Sequence, residues 1–220
     1  MAPGASWTGH TFIAGRTGSG KSHHAAGLAL AWAGPCLIID RANGLSDLLG
    51  WPAATRRDSH RDIMRALLGG PGLGHLCYIP HWDTAIARAE TDLLIRVLFA
   101  RGPHDPALLL IVDEAWRVAR EGERPGQVHR VAVEGLAAGI QLVAISQRPA
   151  NVSKDLVTQC DRMVLFPTSF EQNWLGRYGI DHAEVSGLLD RAPQYSYVTW
   201  DQKTIQGPHI DPPLTIPRAR

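Results

Sequence analysis

The chain has 220 residues, 45% of them hydrophobic, and its 22 basic and 21 acidic side chains give a formal net charge of +1. This length and composition suit one α/β domain with a well-buried core and are too small for two ordinary domains. The near balance of charge excludes a globally basic protein of the kind that coats nucleic acid, so any contact with DNA must be local.

Short apolar runs alternate along the chain with helical segments, which is the pattern of a mainly parallel sheet covered by helices on both faces. Strands are predicted at residues 11–14, 36–39, 76–79, 108–112, 142–145 and 163–166. Helices are predicted at residues 21–33, 59–68, 84–100, 127–137 and 153–159, with two short helices within 171–190. The alternation therefore predicts an α/β fold.

The end of the chain has a different character. Residues 196–200 and 204–206, separated by three polar residues, predict an antiparallel hairpin at one edge of the sheet. We expect residues 1–206 to form the single domain and residues 207–220, with their four prolines, to be a loosely attached tail. Residues 41–58 and 117–126 are predicted to be long irregular or charged connections, which are often functional in compact α/β domains.

A complete phosphate-binding pattern, G-x-x-x-x-G-K-[ST], follows the first predicted strand and opens the first predicted helix. Its residues are Gly15, Arg16, Thr17, Gly18, Ser19, Gly20, Lys21 and Ser22. The glycines let successive N–H groups turn towards one phosphate, and the helix start adds positive charge. Lys21 is predicted to contact the β- and γ-phosphates, and Ser22 to bind Mg²⁺. The N-K-x-D loop that usually reads guanine has no correctly spaced counterpart, which favours ATP.

The second motif is acidic and ends the fourth predicted strand, where the apolar run 108–112 is followed by Asp113 and Glu114. Both carboxylates should lie at the same sheet edge as the phosphate loop. Asp113 is predicted to hold Mg²⁺, usually through its water shell, and Glu114 to orient and deprotonate the attacking water. Together with the phosphate loop, this pair predicts ATP hydrolysis.

The strand at 142–145 is followed by the polar residues Ser146 and Gln147. An amide at this strand end can hydrogen-bond the γ-phosphate or the attacking water, and so distinguish ATP from ADP. Gln147 is therefore the predicted γ-phosphate sensor.

Residues 137–149 follow the pattern A-A-G-I-x-L-x-x-x-[ST]-Q-R-P, continued by the segment 156–161 and the next predicted strand. With the two phosphate motifs, this region resembles the FtsK/HerA superfamily of DNA-translocating P-loop ATPases over about residues 9 to 170. The resemblance implies a RecA-like (ASCE) sheet in which the glutamine strand lies between the other two motif strands. The chain is most similar to the small genome-packaging ATPases of tailless double-stranded DNA viruses, including the poxvirus and tectivirus types.

The resemblance also implies partners and cofactors. Such motors use ATP and Mg²⁺, act on double-stranded DNA and work as rings, here expected to be hexameric. A capsid vertex or a membrane-associated portal protein is the expected docking partner. The protein would then occur in the host cytoplasm, associated with virions, or both.

One position departs from the family pattern. Members often carry an arginine, a few residues before the Gly-Ile of the sensor strand, that reaches the neighbouring subunit's ATP site, but this chain has Leu136 there. Because such an arginine contributes several powers of ten in rate, an active ring should have a substitute. Arg130 is the first candidate, and Arg101 and Arg148 are reserves.

Local DNA contacts are predicted after the acidic motif. Arg117, Arg120 and Arg124 lie in a segment broken by glycine and proline, and repeated around a ring they would line a basic channel. Contacts of this kind go to phosphates and are sequence-tolerant. The alternative is an ordinary charged loop in contact with solvent.

Other functions stay open at this level. A cellular HerA-like or conjugative DNA motor, or a filamentous-phage assembly ATPase, would share the same motifs. A small-molecule P-loop kinase would also suit the length, but it leaves Glu114 and the Gln147 strand end unexplained.

Several features point away from metal sites, disulfides and membranes. Cys36, Cys77 and Cys160 are isolated, which suggests neither a disulfide framework nor a zinc site. His23 and His24 are adjacent and so do not share a helical face, and we expect them to be solvated or packed. No apolar run approaches the roughly 18 residues that span a bilayer, and the first ten residues do not resemble a signal peptide, so we expect a soluble, unexported protein.

Overall fold

The computed structural model describes residues 8–68, 74–168 and 172–216. Nine strands form one sheet in the order β3-β4-β2-β5-β6-β1-β7-β8-β9. The strands are β1 (Thr11–Ala14), β2 (Cys36–Ile39), β3 (Ala53–Thr55), β4 (His75–Ile79), β5 (Leu108–Val112), β6 (Ile140–Ser146), β7 (Arg162–Leu165), β8 (Tyr197–Trp200) and β9 (Ile205–His209). Strands β1 to β7 pair in parallel, whereas β8 and β9 add antiparallel.

Helices cover both faces of this sheet. They are α1 (Lys21–Ala31), α2 (Gly44–Leu49), α3 (His60–Leu68), α4 (Thr84–Arg101), α5 (Gln127–Glu134), α6 (Lys154–Thr158), α7 (Gln172–Gly176) and α8 (His182–Asp190). Short 3-10 turns occur at Ala115–Arg117, Leu136–Ala138 and Pro149–Asn151. None of the helices in the described ranges is long and apolar enough to cross a membrane.

The central strands are apolar along their whole length because each of their faces is covered. Alternate residues of β5 belong to two separate apolar clusters, one on each face of the sheet. Leu110 belongs to the first cluster, whereas Leu109 and Ile111 belong to the second, together with Ile13 and Ile38. This two-sided burial is what parallel strands inside an α/β layer structure require.

The predicted α/β class, with its mainly parallel sheet and its hairpin at the C-terminal edge, is confirmed. All six predicted parallel strands are present, and the two short helices expected within 171–190 are α7 and α8. The irregular connection predicted at 41–58 is wrong, because it contains α2 and the edge strand β3, which pairs with β4. Strand β3 is only Ala-Ala-Thr, and alanine has little intrinsic preference for strands, so the sequence pattern did not predict a strand here.

The boundary predicted at residue 206 lies inside β9, and the residues beyond it contact the domain. Asp211 accepts a hydrogen bond from the Tyr197 hydroxyl at 3.0 Å, and Leu214 packs against the apolar cluster that includes α1. The expectation of a loosely attached tail is therefore wrong for residues 207–216. The prolines prevent a helix here, but an extended segment can still bind through its side chains and carbonyl groups.

The helix predicted at 127–137 is also divided. Helix α5 ends at Glu134, and Leu136 lies in a separate 3-10 turn that closes with Gly139 in the left-handed region at φ +68°. Gly139 lies so close to His104 that a β-carbon on it would collide with the His104 carbonyl oxygen. The tight entry into β6 therefore ends the helix early.

Candidate functional site

The carboxyl ends of β1, β5 and β6 lie side by side, because these strands are neighbours in the parallel sheet. The phosphate-loop residues 15–22 follow β1, the acidic pair follows β5, and Gln147 follows β6. Open α/β sheets bind ligands at this edge. The structure thus brings together the three motifs that the sequence analysis predicted.

The backbone of the phosphate loop depends on its glycines. Gly18 and Gly20 have φ values of +75° and +111°, which side-chain-bearing residues rarely adopt. A β-carbon on Gly15 would lie 2.5 Å from the Phe166 Cβ, and one on Gly20 would lie 3.0 Å from the Phe166 Cε1. Phe166, just after β7, therefore supports the loop by direct packing. Sequence reasoning placed this residue in a strand and missed its contact with the loop.

The loop is also anchored to both neighbouring strand ends. The Gly15 N–H donates to the Ser146 carbonyl at 3.3 Å, and the Arg16 N–H donates to the Pro167 carbonyl at 3.2 Å. Arg16, Thr17 and Gly18 are exposed at the tip of the loop. These contacts hold the base of the loop while its tip stays open to solvent.

Lys21 is 9% exposed, and its Nζ donates to the Arg16 carbonyl at 2.8 Å across the loop. Burial lowers the pKa of Lys21, and the nearby Glu114 and Asp113 oppose that shift. The buried Ser19 Oγ has no hydrogen-bond partner among the described residues. A cation and an unpaired hydroxyl in one concave loop fit a phosphate group.

The acidic pair has a distinctive local geometry. Glu114 has a φ of +52°, and its N–H donates to the Asp113 Oδ1 at 2.9 Å. The Trp116 Nε1 donates to the Glu114 Oε2, which fixes the direction of that carboxylate. Burial, followed by the charges of Glu114 and Asp40, raises the pKa of Asp113 to about 6. A carboxylate made costly to ionise in this way gains from a bound cation.

Magnesium prefers oxygen ligands, and the candidate ligands here are the Asp113 carboxylate and the Ser22 hydroxyl. Ser22 is exposed in the first turn of α1, directly after Lys21. The donor set therefore fits Mg²⁺, although both assignments stay predictions.

Sequence reasoning missed two residues that follow β2. Asp40 is fully buried, and its Oδ2 accepts hydrogen bonds from the Leu45 and Ser46 N–H groups at 2.9 and 2.7 Å. Arg41 donates to the Trp82 carbonyl through Nη2. Their position beside β5 brings their charges close to the acidic pair. The signal that could have identified these two residues was the Asp-Arg pair directly after an apolar strand.

Gln147 makes direct contact with the phosphate loop. The Thr17 Oγ1 donates to the Gln147 Oε1 at 2.6 Å. Strand β6 lies between β5 and β1, as the resemblance implied, so Gln147 stands between the acidic pair and the loop. Its role as a sensor stays a prediction.

The three candidate trans arginines lie in different places. Arg148 is at the same sheet edge as its own chain's site, with its Cζ 5.1 Å from the centre of the Trp116 ring. Arg130 lies on α5, with its Cζ 4.1 Å from the Phe99 ring centre and its Nε donating to Glu134 at 2.8 Å. Arg101 ends α4, which leads into β5, so it lies near the opposite, amino-terminal edge of the sheet.

The three arginines predicted to contact DNA differ in their exposure to solvent. Arg117 is only partly exposed and its Cζ stacks 4.4 Å from the centre of the Trp116 ring. Arg120 and Arg124 are exposed. The backbone of this segment is held in place, because Arg120 pairs with Val152 in an isolated antiparallel β-bridge and Arg88 donates a hydrogen bond to the Arg124 carbonyl. Of the three candidates, Arg120 and Arg124 are therefore the more accessible to solvent.

Solved structures with this architecture include the genome-packaging NTPase B204 from Sulfolobus turreted icosahedral virus 2, bound to ATP-gammaS. It has a TM-score of 0.71 and 20% sequence identity, and the match covers 94% of this chain and 97% of that one. The chain shares its fold with a viral genome-packaging NTPase. VirB4 of Thermoanaerobacter pseudethanolicus matches with a TM-score of 0.70 at 13% identity, covering 93% of this chain and 89% of that one.

A third similar structure is EssC (ATPases 2 and 3) from Geobacillus thermodenitrificans, with a TM-score of 0.52 and 17% identity, covering 90% of this chain and 38% of that one. No protein-family model and no curated protein sequence matches the chain. At these identities the similarity establishes the fold, and it confirms the predicted resemblance at that level.

Proposed function

We propose that this chain is an ATPase that translocates double-stranded DNA as a ring, and that it packages a viral genome into a preformed capsid. The observation that carries the proposal is the meeting of the phosphate loop, the Asp113–Glu114 pair and Gln147 at one sheet edge. The similarity to a packaging NTPase bound to an ATP analogue supports the choice of ATP and of DNA packaging.

Each residue has a part in the proposed hydrolysis. Lys21 leaves its contact with the Arg16 carbonyl to bind the β- and γ-phosphates, and the loop N–H groups hold the β-phosphate. Ser22 and Asp113 would hold Mg²⁺, which would supply charge neutralisation at the phosphate oxygens. Glu114, oriented by Trp116, accepts a proton from the attacking water. Gln147 exchanges its contact with Thr17 for the γ-phosphate.

The ring would be built head to tail, with the ATP edge of one subunit facing the α4–α5 side of the next. That side exposes Val133 and Leu136, which are 69% and 51% exposed, and Trp82 is 79% exposed near the ATP edge. Arg130 and Arg101 belong to the same side and are the proposed trans arginines. Arg148 is less suited to that role because it lies at its own chain's site.

The primary test is the rate of ATP hydrolysis with and without double-stranded DNA, with Glu114→Gln as a variant that binds ATP but does not hydrolyse it. We expect DNA to stimulate the wild type. Arg120→Ala together with Arg124→Ala should weaken DNA binding and its dependence on salt concentration. Hydrolysis that DNA leaves unchanged, with transfer of phosphate to a small acceptor, would show a kinase instead of a motor.

Subunit mixing tests the trans arginine. Arg130→Ala and Lys21→Ala should each be inactive alone, but a mixture should regain activity, because some interfaces then join an intact ATP site to an intact arginine. Arg101→Ala and Arg148→Ala are the matched comparisons. Light scattering in ATP should show a ring, and a strict monomer with full activity would refute the assembly.

A second candidate is a cellular DNA motor of the same fold, which the similarity to VirB4 favours, since that protein comes from an organism rather than a virus. The two candidates differ in their docking partner. Binding to a capsid vertex or to a membrane-associated portal protein, measured by co-sedimentation with empty capsids, supports the packaging motor.

A further inference from the structure

An exposed aromatic residue stands beside the last glycine of the phosphate loop. Tyr195 precedes β8 and is 53% exposed. A β-carbon on Gly20 would lie 3.6 Å from the Tyr195 Cβ, so the side chain leaves the backbone next to the point where α1 begins. No step of the proposed hydrolysis uses this residue.

The backbone at this position is unusual as well. Tyr195 has a φ of +69°, in the left-handed region that residues with a β-carbon rarely occupy. The chain is held there by a turn in which the Ser196 N–H donates to the Pro193 carbonyl at 3.2 Å, and by the buried start of β8. Residues held in such backbone conformations cluster at active sites and ligand clamps.

The order of the strands decides which part of a nucleotide would reach Tyr195. The γ-phosphate residues Asp113, Glu114 and Gln147 follow β5 and β6, on one side of β1. Strands β7 and β8 lie on the other side, and the pairing of β7 with β8 puts the start of β8 at the carboxyl edge of the sheet. A triphosphate whose γ end points to β5 and β6 therefore directs its ribose and base towards β7 and β8.

We propose that Tyr195 stacks against the purine base of the bound nucleotide and favours purine over pyrimidine nucleoside triphosphates. The inference rests on the proposed function, because it needs a nucleoside triphosphate in the loop. Stacking uses the ring face and not the hydroxyl group, and a larger base offers more area to the ring. Selection between adenine and guanine lies outside this contact.

The test compares the binding of ATP, UTP and inorganic tripolyphosphate to the full chain by calorimetry. Tyr195→Gly should weaken ATP binding about 5- to 100-fold, the range expected when one base–aromatic stack is lost. Tripolyphosphate binding should not change, the preference for ATP over UTP should shrink, and Tyr195→Phe should bind ATP as the wild type does.

The Tyr195→Gly variant also distinguishes a stacking role of Tyr195 from a structural role. Because glycine adopts positive φ without strain, Tyr195→Gly should melt at the same temperature as the wild type or higher. Asn43→Gly, at another exposed positive-φ residue, is the matched control and should leave ATP affinity unchanged. Wild-type ATP affinity in Tyr195→Gly would overturn the stacking contact and leave the proposed function standing. A wild type that binds neither ATP nor tripolyphosphate would overturn both.

Discussion

The two flanks of the phosphate loop differ in chemistry. On the β5–β6 flank the residues are charged or polar, and they contact the loop through hydrogen bonds such as that from Thr17 to Gln147. On the β7–β8 flank they are aromatic, and Phe166 supports the loop by packing beneath Gly15 and Gly20. In the proposed hydrolysis the first flank acts at the γ-phosphate, whereas the contacts of Phe166 on the second flank support the loop.

The second flank also holds the helix that follows the loop. His24, three residues after Lys21, bonds through Nδ1 to the Asp211 Oδ2 at 2.8 Å, and its ring lies 4.7 Å from the centre of the Tyr197 ring. His23 bonds to the Pro212 carbonyl at 3.0 Å. Substitution of the general base on the polar flank should therefore change catalysis, whereas substitution of Asp211, which holds α1 on the aromatic flank, should change stability.

The largest expected effect is on the polar flank. Glu114→Gln should lower kcat about 10²- to 10⁴-fold, because the amide cannot accept the proton of the attacking water, while ATP binding is retained. Phosphate release and calorimetry measure the two quantities. Glu184→Gln, at an exposed position on α8, is the control. If Glu114→Gln kept more than half the wild-type rate, Glu114 would not be the general base.

The next effect concerns the support beneath the loop. Gly15→Ala should destabilise the protein by about 1–3 kcal/mol and weaken ATP binding, because its β-carbon would collide with the Phe166 Cβ. Gly44→Ala is the matched variant, since Gly44 has no positive φ and a β-carbon there meets no atom within 4 Å. Thermal melting and ATP titration compare the two. Equal losses of stability would show that Phe166 does not constrain the loop.

Ionisation of Asp113 on the polar flank should make the stability of the protein depend on pH. Because its pKa is raised to about 6, its ionised form costs stability, and this cost grows as pH rises from about 4 to 6 and persists above. Asp113→Asn should therefore raise the apo protein's stability at pH 8 by about 1–3 kcal/mol and abolish Mg²⁺-dependent ATP affinity. Denaturant melts at pH 4 and pH 8 measure the difference, and a gain of equal size at both values would contradict the assignment.

The smallest expected effect is on the aromatic flank. Asp211→Ala should cost about 1–2 kcal/mol, because it leaves the buried His24 and the Tyr197 hydroxyl without their shared acceptor. Burial opposes the charge of Asp211, but its bonds to His24 and Tyr197 outweigh burial and lower its pKa. Its contribution should thus be present above about pH 4 and lost at lower pH. The kcat of the folded variant should be unchanged. A large fall in kcat would show that the aromatic flank also affects catalysis and would contradict the separation of the two flanks.

Much of the fold and the polar flank could be predicted from the sequence. The Gly-rich loop, the LLLIVDE run and the Ser-Gln strand end each combine a local pattern with a strand, and parallel strands must end at one edge. Strand β3 could not be predicted, because Ala-Ala-Thr becomes a strand only when β4 offers a partner. The bond between Asp211 and His24 joins residues 187 positions apart, and no local pattern encodes such a contact.

The sequence by itself determined that a phosphate loop, an acidic pair and a glutamine would meet at one edge of an α/β sheet. The reason is that backbone conformation and strand direction are local properties of these motifs. Only the tertiary structure decided what lies behind and beside the loop. Phe166 packs against its glycines, Asp211 contacts His24 of α1, and Tyr195 lies next to Gly20. These contacts depend on the order in which β7, β8 and β9 add to the sheet, and that order is set by packing across the whole domain.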